Sequence, residues 1–401
     1  MSSEPAPVGP PGHSRAPLVE IDRWEWRRGQ GDLQAGLASF LSAHGVDAPF
    51  AHVAASRPII GGGDTPSVGI LLGAPACNLL AGWQGGPASP APAVPDAVLI
   101  AYRPGPGPGP GPATAPAVAV STGEWRSTWT DAEHAAAVER VRAAIARGEL
   151  YQASVVGHRQ ATHRGRPIDL ARAVAGLPGA SYAGVMSGPG WAVGSASPEQ
   201  LVKVVGGRIT TVPVKGTRVV GPGAREQLQA SLKDRAEHIM IVDLERNDLA
   251  RVARTGTVVV EQLYEVQQWA QLWHAGSLVA AKLREDVGPL EVLAALAPGG
   301  SVTGAPKRAA CALLADLEPV GRGPSMGAFG MIWPGGMDLG LSIRTVAVDE
   351  DSVHLWAGGG ITWGSDPELE VIEAHDKARP LLARLGARPD AGSTAGSGAA
   401  L

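Results

Sequence analysis

The sequence predicts an α+β fold, on three observations. Strands and helices follow one another without the regular βαβ alternation of a doubly wound sheet. β-branched or alternating runs recur, as in Arg208-Ile-Thr-Thr-Val-Pro-Val214 and Thr257-Val-Val-Val-Glu261. The helical stretches between them carry recognisable caps. With 401 residues the chain can hold one large domain or two to three ordinary ones, and an apolar fraction of 44% suffices for a real core. The net charge of −4, without a basic block, argues against nucleic acid and anionic membranes as partners. Two cysteines, Cys77 and Cys311, both in apolar contexts, exclude a disulfide scaffold and a cysteine-based metal site.

Residues 1–17 are rich in Pro, Gly and Ser and are expected to be disordered. They lack a basic start followed by an apolar run, so the expected location is the cytoplasm. Residues 18–120 hint at strands around Trp24-Glu25-Trp26. Val68 to Trp83 reads as one or two buried strands, too interrupted by Gly and Pro to span a membrane. The Pro/Gly repeat 104–112 is a stiff exposed loop. From 121 to 387 the texture changes. Thr130-Asp131 caps a helix running to about Arg147, with Ala135, Val138, Val141 and Ile145 on one side, and Gly148 ends it. Leu150 to Val156 follows as a strand and Ile168 to Leu177 as a helix. Lys233 to Arg246 is a strong helix, with Ala236, Ile239, Met240 and Asp243 on neighbouring turns. Pro306 opens a helix to Leu317, and Asp366-Pro367 caps a last helix to about Leu385. Residues 388–401 form a Gly/Ser/Ala tail expected to be disordered.

Four features can carry chemistry. Lys215 stands where the 208–214 strand runs out into a Gly-Thr turn. An amine held there among apolar neighbours loses its charge more readily and can act as nucleophile or base; the alternative is a strand-end lysine pointing into water. Asp234 and Glu237 are three residues apart on one helix, and Glu370 and Glu373 repeat the spacing on the last. If those faces meet, four carboxylates make a hard-oxygen site suited to Mg²⁺; the alternative is surface ion pairing, for instance of Glu373 with Lys377. Gly299-Gly-Ser-Val-Thr-Gly-Ala-Pro-Lys307 feeds a Gly-rich turn into a helix start, attractive to an anion, or is simply a tight turn. Arg344, read within a strand, can grip a carboxylate bidentately or make a structural ion pair, and Gly358, Gly359 and Gly360 let a ligand approach the backbone. Together these describe an enzyme for a small di-anionic substrate, with Mg²⁺ and a reactive lysine.

The ordered motifs resemble a known family. Gly148-Glu-Leu-Tyr-Gln152, Ser197-Pro-Glu199, Pro213-Val-Lys-Gly-Thr-Arg218, Lys233 to Leu249, Gly299 to Lys307, Leu317-Glu-Pro, Arg322-Gly323, Ile343-Arg-Thr345 and Ser365-Asp-Pro367 with Glu370 and Glu373 are similar to those of the chorismate-utilising enzymes. The match runs from about Arg140 to Leu385. The resemblance implies one large domain of antiparallel sheets in a sandwich with helices packed outside. It points to aminodeoxychorismate synthase component I, because lysine at 215 is the residue of that branch, where anthranilate synthases carry alanine. Lys215 would then attack C2 of chorismate and expel the C4 hydroxyl, after which ammonia enters at C4. Glu199 would be the general acid and base, with His274 near the ring. Glu237 and Glu373 would hold Mg²⁺ directly, and Asp234 and Glu370 through water. Arg344, Thr303, Gly304, Lys307 and the Gly358–Gly360 backbone would surround the substrate's carboxylates. Ammonia would come from a separate glutamine amidotransferase subunit, since neither cysteine sits in a nucleophile elbow. The product would feed p-aminobenzoate and folate or a derived metabolite. An anthranilate synthase or an isochorismate or salicylate synthase is the alternative, and a non-catalytic, partner-binding homologue the second. Ser325 stands where the family has a substrate-contacting tyrosine, and Thr217-Arg-Val-Val-Gly221 lacks one arginine of the family's loop.

Overall fold

The computed structural model describes residues 18–52, 66–84, 86–105, 120–269 and 272–387. The predicted disordered ends and most of the 104–112 loop lie outside these residues. The chain begins with β1 (Leu18–Trp26), α1 (Leu33–Ala43), β2 (Ser67–Leu72), α2 (Ala74–Leu80) and β3 (Ala97–Pro104). Next come the short β4 (Ser121–Thr122) and β5 (Arg126–Ser127), then α3 (Asp131–Ala146), β6 (Gln152–Arg164) and α4 (Pro167–Ala175). A run of strands follows: β7 (Tyr182–Gly188), β8 (Trp191–Ser197), β9 (Gln200–Val205), β10 (Arg208–Val212) and β11 (Val214–Val219). Helices α5 (Ala224–Ala230) and α6 (Leu232–Ala250) lead to β12 (Val259–Trp269) and β13 (Leu272–Lys282). Then come α7 (Pro289–Leu296), α8 (Gly300–Thr303), β14 (Gly304–Ala305) and α9 (Lys307–Leu317). The chain closes with β15 (Ala328–Trp333), β16 (Gly336–Leu341), β17 (Thr345–Val348), β18 (Ser352–Ile361) and α10 (Pro367–Arg384).

Two sheets result. One has ten strands in the order β1-β3-β2-β15-β16-β9-β10-β13-β11, with β12 also on β13. The other has eight, in the order β14-β6-β18-β17-β8-β7, with β4 and β5 also on β6. The pairings are antiparallel, so one face of each strand can turn inward while the other takes a helix. β6 shows the division: Val156 joins the core between the sheets, while Val155 packs outward with Val141 and Leu314. The inter-sheet core takes Ile70, Leu99, Val202 and Met337 from the first sheet and Met186, Val193 and Ala347 from the second. Helices α4 and α10 cover the outside of the second sheet through Leu170, Val174, Ala378 and Leu381. This is the α+β sandwich the resemblance implies. No helix among the described residues is long and apolar enough to cross a membrane.

Several local expectations change. The 208–214 strand does not end in a turn. Pro213, which has no N–H to give the ladder, separates β10 from β11, and Lys215 lies inside β11. The register of β11 on β13 shifts between Val214 and Thr217, with Gly216 at φ 80°, so Lys215 sits on a bulge. Val68 to Trp83 is one strand, β2, followed by the helix α2, which Pro75 opens in its first turn. Arg344 precedes β17 at φ 48°, outside any strand, so alternation along a strand does not set its direction. Pro306 caps α9 as its preceding residue. Helix α6 buries His238, Ile241, Val242, Glu245, Asp248 and Leu249, while Ile239 is 47% exposed, so its inner face differs from the one its apolar spacing suggests.

Candidate active site

A cavity of about 450 Å³ opens beside the bulge of β11. Its walls are contributed by the β8–β9 corner (Glu199), β11 (Lys215), α6 (Asp234, Glu237), β13 (His274), α8 (Ser301), the bend before β17 (Arg344), β18 (Gly358, Gly359, Gly360) and α10 (Glu370, Glu373). Eleven of the fourteen residues picked from the sequence therefore share one cavity. The other three do not line it. Thr303 donates its hydroxyl to the Gly299 carbonyl at 2.7 Å, and Gly304 pairs with Ala153 in the second sheet. Lys307 is 8% exposed, with Nζ 2.5 Å from Asp248 and 2.9 Å from the Leu296 carbonyl. The Gly299–Lys307 run thus anchors α8 and α9, and its contribution to the cavity is Ser301 and Val302.

Lys215 and Glu199 meet across Ser301. The Ser301 hydroxyl donates to Glu199 Oε1 at 2.7 Å, and Lys215 Nζ donates to the Ser301 carbonyl at 3.4 Å. Burial pushes the Glu199 carboxyl up from its ordinary range and pulls the Lys215 ammonium down, each partly offset by the other's opposite charge. The same burial that makes Glu199 easier to protonate makes Lys215 easier to deprotonate. A carboxyl made easier to protonate and an amine made easier to deprotonate therefore stand together, groups able to act as an acid and as a nucleophile. Burial also lowers His274, with the Arg344 charge adding to it, and lowers Arg344 itself against the pull of Glu199. His274 is pinned opposite Thr217 in the β11–β13 pairing.

The acids of α6 and α10 line the same cavity. Asp234 is paired with Arg218 at 3.1 Å, and Glu237 accepts from Thr362 at 3.2 Å. Glu373 pairs with Lys377 at 2.6 Å, and Lys377 also donates to the Gly358 carbonyl at 2.9 Å. Glu373 thus lines the cavity while making the i,i+4 ion pair expected as the alternative. Four carboxylates are the donor chemistry of a hard divalent cation such as Mg²⁺. Among the described residues no three His, Cys, Asp or Glu side chains converge into a metal-binding group.

Sequence reasoning missed Ser301, Met326 and Trp356. Ser301 lies inside a motif that was picked for its ends. Met326 reaches the cavity from a left-handed backbone, φ 58°, and Trp356 does so while donating to the Gly321 carbonyl at 3.1 Å. Ser325, at the tyrosine position, is fully buried, with its hydroxyl 3.4 Å from the Ser342 carbonyl.

Comparison with known proteins shows the family to which the chain belongs. Residues 108–383 match the family of chorismate binding enzymes. The chain is 38% identical to anthranilate synthase component 1 of Streptomyces coelicolor, over 65% of this chain and 53% of that one. It is 35% identical to aminodeoxychorismate synthase component 1 of Salmonella typhimurium, over 65% and 59%. The aligned region thus spans little more than half of those relatives. Among solved structures, anthranilate synthase component I of Streptococcus pneumoniae superposes with a TM-score of 0.74 at 22% identity, over 95% of each chain. The menaquinone-specific isochorismate synthase of Escherichia coli gives 0.61 at 17%, over 92% of this chain and 95% of that one.

Proposed function

Because this chain belongs to the chorismate binding enzyme family, we propose that it is a chorismate-utilising synthase of the aminodeoxychorismate type, converting chorismate and ammonia to 4-amino-4-deoxychorismate. The observation that carries this choice is Lys215, a partly buried amine joined to Glu199 through Ser301. In the proposed course Lys215 Nζ bonds to C2 of chorismate, the ring double bond shifts, and the C4 hydroxyl leaves as water with the Glu199 proton. Ammonia then bonds to C4, the double bond shifts back, and the C2–Nζ bond breaks. Glu199 recovers a proton from the incoming nitrogen, so the acid ends as it began. Arg344 and the Gly358–Gly360 backbone hold carboxylates, and His274 stands near the ring. Mg²⁺, held by Glu237 and Glu373 with Asp234 and Glu370 acting through water, would neutralise the ring carboxylate.

The ammonia would be delivered by a glutamine amidotransferase subunit. Supporting this, burial pushes the Cys77 thiol up to about 12 and Cys311 up to about 11, far from a reactive thiolate. A second reading, anthranilate formation, draws support from the 38% identity to anthranilate synthase component 1. Product analysis decides between them. Purified protein with chorismate, Mg²⁺ and ammonium is expected to give aminodeoxychorismate, and anthranilate without an added lyase would sink the proposal. Lys215→Ala is expected to lose C4 amination by at least about a hundredfold, as removal of a nucleophile does.

A further inference from the structure

We propose that the buried amide of Gln152 orients the Lys215 amine, taking one of its N–H bonds while the Ser301 carbonyl takes the other, so that the lone pair faces the cavity. This rests on Lys215 acting as the nucleophile. Gln152 begins β6 and its backbone is fixed on both sides, pairing with Ala305 of β14 while the next residue pairs with Ile361 of β18. The residue is 1% exposed, and neither atom of its amide has a hydrogen-bond partner. Natural interiors rarely leave such a group unsatisfied without a functional reason. The amide nitrogen lies 2.5 Å, and Lys215 Nζ 3.3 Å, from the point where a Cβ on Gly360 would stand, so both end groups crowd the space that glycine leaves open. A half-turn of the amide brings its oxygen to that space as an acceptor.

The chemistry favours an amide here. A neutral amine has two N–H bonds and one lone pair, and two acceptors fix where the lone pair points. Lys215 is faced by Glu199, by Glu237 of α6 and by Glu373 of α10, all of which favour the ammonium. Lys377 of α10 and His238 of α6 oppose it when charged. A further carboxylate would tip this balance toward the unreactive ammonium, whereas an amide accepts without adding charge.

The test measures carbamoylation of Lys215 by cyanate in the full-length protein, read by peptide mass spectrometry from about pH 7 to about pH 10, with exposed Lys282 as internal reference. In Gln152→Met, Lys215 is expected to react about five- to tenfold more slowly at every pH, with an unchanged midpoint. The same variant loses one hydrogen bond but also a buried amide nitrogen that has no acceptor, so its melting temperature is expected to change little. Gln152→Glu retains an acceptor, so the wild-type rate returns at high pH, but the midpoint rises by about one unit or more. A folded Gln152→Met protein whose Lys215 reacts at the wild-type rate would overturn the proposal. A lower melting temperature with Lys215 and Lys282 slowed alike would also overturn it. The readout needs no chorismate, so the function proposed above can fail while this orientation stands, and the reverse.

Discussion

Gly358, Gly359 and Gly360 look equivalent in the sequence, yet each yields to a different neighbour. A Cβ at 358 would stand 1.9 Å from the Val155 carbonyl, one at 359 would stand 2.9 Å from Glu370 Oε2, and one at 360 would meet Gln152 and Lys215. The first neighbour is backbone and cannot retreat, while the last two are ends of flexible side chains. Gly358→Ala is therefore expected to damage folding, and Gly360→Ala to fold while displacing Lys215. Chorismate turnover in Gly360→Ala should fall about tenfold or more with a small change in melting temperature, the loss expected for a misplaced reacting group. A melting temperature that drops as far as that of Gly358→Ala would refute the distinction. The sequence made these glycines legible as a place of close approach, and Lys215 and the four acids legible as chemistry. It could not reveal Gln152, because a buried glutamine is noticed only when its missing partner is known, and the one proposed, Lys215, lies far along the chain on β11.

Helices α6 and α10 bring two acid pairs to one cavity, and their i,i+3 spacing announced that each pair shares a face. Which face α6 buries was not legible. Apolar spacing selects Ile239, but the helix turns Glu245 and Asp248 inward, where Lys307 of α9 answers Asp248 and the Thr211 hydroxyl donates to Glu245 at 3.3 Å. Burial and the neighbouring Asp248 push the Glu245 carboxyl up, which favours its protonated form inside the fold. Acids that are paired or protonated read as surface residues in a sequence, because their partners, such as Thr211 and Lys307, lie tens of positions away on other elements. The N-terminus of α10 was legible, and Asp366 accepts from the backbone N–H of Glu368 and Leu369, both at 3.0 Å. Asp366→Ala is expected to lower stability by about 1 kcal/mol in denaturant unfolding. Because Glu370 and Glu373 follow within two turns, it should also raise the Mg²⁺ concentration needed for half-maximal chorismate turnover. An unchanged Mg²⁺ titration would detach α10's first turns from the metal.

Across the whole molecule, strands remote in sequence lie side by side. β2 pairs with β15 and β6 with β18, joinings that no local pattern encodes. The second brings His158 within 3.2 Å of His354, beneath Trp356 of the cavity wall, while Thr128 lies 2.6 Å from the other nitrogen of His158. Burial, reinforced by the facing His354, holds His158 down to about 3 from an ordinary 6.5, and burial holds His134 down to about 4. Their folded values lie below the unfolded one, so the unfolded chain takes up these protons first as pH falls. Their contribution to stability is complete above about pH 6.5 and drains away as pH falls toward about 3. Glu199 and Glu245, raised by burial, act with the opposite sign, since the folded state binds their protons more tightly and loses that advantage as pH rises. The histidine share is separated by substitution. His158→Gln is expected to cost stability near neutral pH, where it breaks the Thr128–His158–His354 contacts, yet to show a shallower fall in melting temperature between about pH 6.5 and about pH 4.5. If wild type and variant lose melting temperature in parallel over that interval, the acid sensitivity belongs to other groups, and the buried histidine pair holds β6 to β18 without governing how the fold responds to protons.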